Sequence, residues 1–203
     1  MMRVAVLASG SGSNFQALVD AINVAGSAAR VELLVCNVPG AKVIERAQQA
    51  GVEVVVIDHK TFTSRDDFDR AVAAAINERK IELVALAGYM RLVTPTFLAA
   101  FPGRVINIHP ALLPSFPGLH AVRQAIEKGV RVTGVTVHFV DEGTDTGPII
   151  AQAAVPVFAT DDEASLATRV HAEEHKLYPR VVQAIARGQV TLEGRRVTMR
   201  ESP

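Results

Sequence analysis

The chain has 203 residues, 49% of them hydrophobic, with 21 Lys and Arg against 21 Asp and Glu. That suffices for one domain with a sizeable core, and the balanced charge lacks the basic stripe of a nucleic-acid binder. The single cysteine, Cys36, excludes an internal disulfide, and no apolar run approaches the ~20 residues of a membrane span, so a cytoplasmic protein with no membrane or nucleic-acid partner is expected.

The N-terminal stretch is too short for a signal peptide and reads as a first strand, Arg3 to Ala8. Phe15, Leu18, Val19 and Ile22 have helical spacing, predicting a helix from Phe15 to Ala25. Val31 to Cys36 predicts a second strand, Ala41 to Ala50 a helix closed by Gly51, and Glu53 to Ile57 a third, β-branched strand. A polar loop, Asp58 to Arg65, leads to a helix from Asp66 to Arg79. Leu83 to Ala87 and Arg104 to His109 predict two further strands. Continuous apolar strands separated by amphipathic helices imply a parallel sheet covered on both faces. Arg131 to Val140 and Ile149 to Val157 then follow without an intervening helix and read as mixed or antiparallel additions. A long helix from Glu163 to Ala186, bent near Pro179, and a hairpin turning at Glu193-Gly194 complete the chain. The fold class is α/β: a single domain over 1–203, Rossmann-like in its N-terminal half and extended by mixed or antiparallel strands. The basic triplet Gly194-Arg-Arg196 reads as a solvated turn.

Ser9-Gly-Ser-Gly-Ser-Asn14 joins the first strand to the first helix. Small residues let backbone approach an anion, and a helix start offers N–H groups and a positive dipole end. Either the turn binds a phosphate, or Ser13 or Asn14 caps the helix. A dinucleotide fingerprint would need glycine where Phe15 stands, and a P-loop would need a lysine that is missing. A phosphate monoester therefore suits the turn better than a nicotinamide cofactor or ATP.

Asn107 and His109 share one face of the fifth predicted strand, at its carboxyl end, where open α/β sheets place ligands. Pro110 stops the ladder, and the proline-rich segment to Gly118 forms a wall. An amide can donate to a developing oxyanion and an imidazole can move a proton, a pairing suited to acyl transfer. Asp145, in the turn-rich Asp141–Pro148 stretch, either supports the charged form of His109 or only bonds its own backbone. No Gly-x-Ser-x-Gly elbow is present, and Cys36 reads as core. His171 and His175 are spaced i and i+4 but lack the glutamate of a zincin, so no metal is expected.

SGSGSN at 9–14, AGYMRLV at 87–93, NIHPALLPSFPG at 107–118, HF and DEGTDTGPI within 138–149, and RVHAEEHKLYP at 169–179 occur in this order. Together they resemble the phosphoribosylglycinamide formyltransferases, folate-dependent enzymes of purine synthesis. The resemblance implies that 10-formyltetrahydrofolate, the co-substrate, gives its formyl group to the amine of 5-phosphoribosylglycinamide. By the same resemblance Asn107, His109 and Asp145 are catalytic, with Asp145 keeping His109 protonated. Gly12, Ser13, Asn14 and Glu174 hold the ribonucleotide. Arg65, Met90, Arg91, Leu92, Val93 and Asn107 serve the folate, with Asp141, Glu142, Gly143, Thr144 and Asp145 receiving its pterin. Residues 1–109 form the ribonucleotide half and 110–203 the folate-binding and C-terminal half, in a monomer or homodimer. Asn37-Val-Pro-Gly40 departs from relatives, where a basic residue commonly follows the asparagine. Formyltetrahydrofolate hydrolase is the nearest rival, but such enzymes carry an added N-terminal domain for which no room is expected. Methionyl-tRNA formyltransferases carry a tRNA-binding extension, and a non-catalytic nucleotide-binding module would leave Asn107, His109 and Asp145 unexplained.

Overall fold

The computed structural model describes residues 1–200, which form two compact units, Met1–Asn107 and a second from Ile108 onward. The first contains β1 (Met2–Ala8), α1 (Ser13–Ile22), β2 (Ala29–Cys36), α2 (Lys42–Gln49), β3 (Glu53–Val56), α3 (Arg65–Glu78), β4 (Leu83–Leu86), α4 (Pro95–Ala100) and the start of β5 (Val105–His109). A 3-10 turn at His59–Thr61 interrupts the segment expected to be loop. The strand order β3-β2-β1-β4-β5 is parallel throughout. β1 is central, and Val4 to Ala8 are fully buried, as unbroken apolar runs require. β3 is the edge strand, so its valines are only partly covered despite their β-branched run. Phe15, Phe68 and Phe97 anchor α1, α3 and α4 in the core, where truncating a phenylalanine costs ~3–5 kcal/mol. Cys36 is fully buried at the end of β2; its thiol donates to the Val38 carbonyl at 3.3 Å, and burial pushes its pKa up.

The second unit takes up the end of β5, then α5 (Ala121–Glu127), β6 (Val132–Phe139), β7 (Ile149–Pro156), α6 (Glu163–Ala186), β8 (Val190–Glu193) and β9 (Arg196–Met199). β6 and β7 pair antiparallel, one of the two arrangements that the missing intervening helix left open. Their register shifts between Val137 and His138, and such a bulge re-aims the following side chain. Gly147 sits where a Cβ would come 1.7 Å from the Phe139 carbonyl oxygen, so the return from the loop into β7 admits no side chain there. α6 packs on both strands and starts from an Asp162–Ser165 capping box. It runs on through Pro179, which is buried. β8 and β9 pair through Glu193 and Arg196, so the hairpin turns at Gly194-Arg195, one residue later than expected. Among the described residues, no helix is long and apolar enough to cross a membrane.

Candidate active site

The first turn is built differently from the capping expectation. α1 begins at Ser13, two residues before Phe15, with Gly12 as its N-cap in left-handed backbone (φ 75°) and no side-chain cap. Gly12 is forced: a Cβ there would meet Val43 Cγ2 at 2.5 Å and Val43 Cβ at 2.7 Å. The neighbouring backbone is braced by α2, through Val43 N–H to the Gly10 carbonyl (3.1 Å) and Arg46 Nε to the Ser11 carbonyl (2.9 Å). Ser13 and Asn14 occupy the first two helical positions, half-buried. The turn therefore ends at a helix start with a basic residue, Arg46, alongside.

Ser9 links this turn to the 87–93 segment: its hydroxyl donates to Asn37 Oδ1 at 2.6 Å and accepts from Met90 N–H at 2.8 Å. A cavity of about 220 Å³ is lined by Arg65, Met90, Arg91 and Leu92. Arg65 Nη2 donates to the Leu92 carbonyl at 2.8 Å, and the Arg91 guanidinium lies 4.8 Å from the Phe68 ring centre. Met90 and Leu92 are 68% and 56% exposed, apolar surface beside two fixed cations. Val93 is half-buried next to them.

Asn107 and His109 lie on one face of β5, as alternation requires. Asn107 is half-buried and pairs in register with Leu86; His109 is 4% exposed. In the second unit, His109 Nδ1 lies 3.3 Å from Asp145 Oδ2, and its Nε2–H donates to the Phe116 carbonyl at 2.8 Å. Asp145 Oδ2 also accepts from Gly118 N–H at 2.8 Å. On its other side His138 Nε2 lies 3.7 Å from Asp145 Oδ1, while His138 Nδ1–H donates to the Phe139 carbonyl at 2.8 Å. A carbonyl thus occupies the far nitrogen of each imidazole, and each near nitrogen is aimed at one carboxylate. The chain folds this way because the proline segment is pinned: buried Thr136 Oγ1 accepts from Leu113 N–H (3.0 Å) and donates to the Ala111 carbonyl (2.7 Å), and Gln152 reaches the Leu113 carbonyl at 3.0 Å.

Burial lowers the His109 pKa, and Asp145 and the Phe116 carbonyl raise it without overcoming that effect. For Asp145, burial pushes the pKa up, but His138, Gly118 N–H and the His109 charge together hold it below the usual carboxylate value. The cluster is a carboxylate held between two buried imidazoles.

Asp141, Glu142, Gly143 and Thr144 lead into Asp145, which adopts left-handed backbone (φ 54°). Glu174 is buried on α6 at 4% exposure and raises the pKa of the equally buried Tyr178 after burial itself. His171 and His175 stack at 6.4 Å; among the described residues no group of three or more metal-ligating side chains comes together. His138, Arg46 and Ser9 carry site geometry that the sequence reading did not assign. His138 sits in an eight-residue strand of otherwise apolar or small residues, where alternation says nothing about its partner.

The formyl transferase family matches residues 2–182. Phosphoribosylglycinamide formyltransferase of Bacillus subtilis is 46% identical over 91% of this chain and 95% of its own length. The trifunctional purine biosynthetic protein adenosine-3 of Drosophila melanogaster is 48% identical over 92% of this chain, which spans 14% of that protein. A crystal structure of glycinamide ribonucleotide transformylase 1 from Symbiobacterium toebii superposes with a TM-score of 0.96 at 48% identity, covering 99% of this chain and 95% of that one. The α/β architecture read from the sequence is the one that crystal structure shares. By domain match, identity and fold, the chain belongs to the formyl transferase family, among the phosphoribosylglycinamide formyltransferases.

Proposed function

We propose that this protein transfers the formyl group of 10-formyltetrahydrofolate to the primary amine of 5-phosphoribosylglycinamide. The observation that carries the reading is the His109–Asp145 pair, 3.3 Å apart, on the strand that also presents Asn107. The relatives matched over most of their own length carry the name phosphoribosylglycinamide formyltransferase, and the hydrolase alternative finds no support among them.

The amine nitrogen attacks the formyl carbon, forming the new N–C bond while the carbonyl pair moves to oxygen. The Asn107 amide donates to that oxyanion. His109 takes up a solvent proton relayed past Asp145 as negative charge develops beside it, because opposite charge favours the imidazolium, and returns it by the same route when the intermediate collapses. Both ring nitrogens then hold protons, one towards Asp145 and one free to leave the Phe116 carbonyl for the oxyanion. The proton lost by the attacking amine passes by way of Asp145 or water to the folate nitrogen, whose bond to the formyl carbon breaks. No acyl-enzyme forms, consistent with the missing nucleophile motif. Placing two substrates together supplies much of the acceleration.

Gly12, Ser13 and Asn14 receive the phosphate at the start of α1, and Glu174 serves the glycinamide and ribose end. Arg65 and Met90–Val93 hold the folate with Asp141–Asp145. Residues 1–109 are thus chiefly the ribonucleotide half, and 110–203 carry the pterin loop. The test is spectrophotometric formyl transfer with and without 5-phosphoribosylglycinamide. Folate turnover that depends on the ribonucleotide and yields its formylated product is expected. Equal turnover without it means hydrolysis and overturns the proposal.

A further inference from the structure

The hairpin turn carries two adjacent arginines, Arg195 and Arg196, and the reaction as described gives them no task. In the fold it is not simply solvated. Arg195 donates from Nη2 to the Thr146 carbonyl, and its Nη1 lies 3.6 Å from Asp141 Oδ2. The other oxygen of that carboxylate, Oδ1, accepts from Gly143 N–H at 3.2 Å and from Thr146 Oγ1 at 2.6 Å. Asp141 therefore ties the 141–146 loop to itself, and Arg195 grips the loop at both ends from outside. Asp145 lies between the two grip points, in the left-handed backbone that a non-glycine residue keeps only when its surroundings impose it. The frame that carries Arg195 is fixed by the β8–β9 ladder and by packing of β9 on β7.

We propose that Arg195 is a positioning residue for formyl transfer, clamping the 141–146 loop so that Asp145 is presented to His109 and His138. The inference rests on the proposed function. A planar guanidinium suits the task because its fork reaches a carbonyl and a carboxylate together, which a lysine ammonium cannot do in the same geometry. A side chain that is 71% exposed contributes little through its ion pair alone. The effect therefore comes mainly from one charge-assisted hydrogen bond, and losing it lowers kcat/KM by roughly 3- to 10-fold.

The experiment compares the full chain with Arg195→Ala, Arg195→Lys and Arg196→Ala. Hydrogen exchange is followed in peptides covering 141–147, and kcat/KM is measured against pH. Arg195→Ala is expected to speed exchange in that segment and to lower kcat/KM. It also moves the His109 limb of the pH profile to lower pH, because a loosened Asp145 supports the imidazolium less. Arg195→Lys recovers part of each effect, and Arg196→Ala matches the wild type. Unchanged exchange in Arg195→Ala overturns the clamp. Faster exchange with wild-type kinetics and pH profile overturns the positioning role. If the wild type transfers no formyl group, the proposed function fails, and exchange in 141–147 still decides whether Arg195 holds the loop.

Discussion

Replacing Gly12 by alanine tests the first turn most directly. The new Cβ would stand 2.5 Å from Val43 Cγ2, 2.7 Å from Val43 Cβ and 3.0 Å from Val43 Cα. The last two distances mean that no side-chain rotation relieves the overlap; α2 must move, against the Val43 N–H bond to Gly10 and the Arg46 bond to Ser11. Overpacking of this kind costs ~1–3 kcal/mol. A left-handed backbone at φ 75° adds ~1–2 kcal/mol for any residue with a Cβ. The sum, roughly 2–5 kcal/mol, corresponds to a fall in Tm of roughly 4–20 °C for a chain of this size. Urea unfolding of Gly12→Ala, Val43→Ala and the double variant measures it. Val43→Ala removes the Cγ2 contact but leaves Cβ, so the double variant should be more stable than the sum of the single losses by ~0.5–2 kcal/mol. A Gly12→Ala protein within ~0.5 kcal/mol of wild type, or strict additivity in the cycle, would refute the close-approach argument.

Asn107→Ala and His109→Ala should each lower kcat by about 10²-fold or more with KM little changed; near wild-type turnover in steady-state assays would remove that residue from the mechanism. Asp145→Asn leaves the two imidazoles without their shared carboxylate, so it should lower kcat by a similar order and move the His109 limb of the pH profile to lower pH. The buried His109 has a folded pKa below its unfolded value, so the unfolded chain binds more protons between the two. Stability is full above about pH 6.5 and falls as pH drops below it, while the depressed Asp145 acts only at lower pH, below the ordinary carboxylate pKa. Urea midpoints at pH 7.5 and 5.5 should therefore fall for wild type and fall less for His109→Asn; an equal fall would assign the effect elsewhere, His175 being the other histidine that burial shifts the same way.

The strands were legible because their burial on both faces is written as unbroken apolar runs, and β6–β7 because no helix separates them. α4 and α5 went unread because six and seven residues give too few turns for periodicity to show. For α4 a signal was present: Thr94 caps Phe97 N–H and Pro95 occupies the first turn. α5 follows His120 in left-handed backbone with no side-chain cap, which leaves no local mark. Asn107 and His109 were legible as a pair because two residues on one strand share a face. The partnership of His109 with Asp145 was not, because a long-range contact leaves no period in the sequence. Nor was the burial that lowers the His109 pKa, because desolvation depends on neighbours brought in from elsewhere in the chain, which spacing does not reveal.

Cys36 gives the protein a built-in chemical clock. The sole thiol of the chain is fully buried, its pKa is raised, and it ends β2 directly before Asn37, in the first unit only. A thiolate must be exposed to react, so a disulfide reagent records only those moments when the end of β2 opens. The labelling rate divided by the rate for the unfolded chain gives the opening free energy of that region alone. Slower labelling in the presence of 5-phosphoribosylglycinamide would express, in units of time, how far that ligand steadies the end of β2.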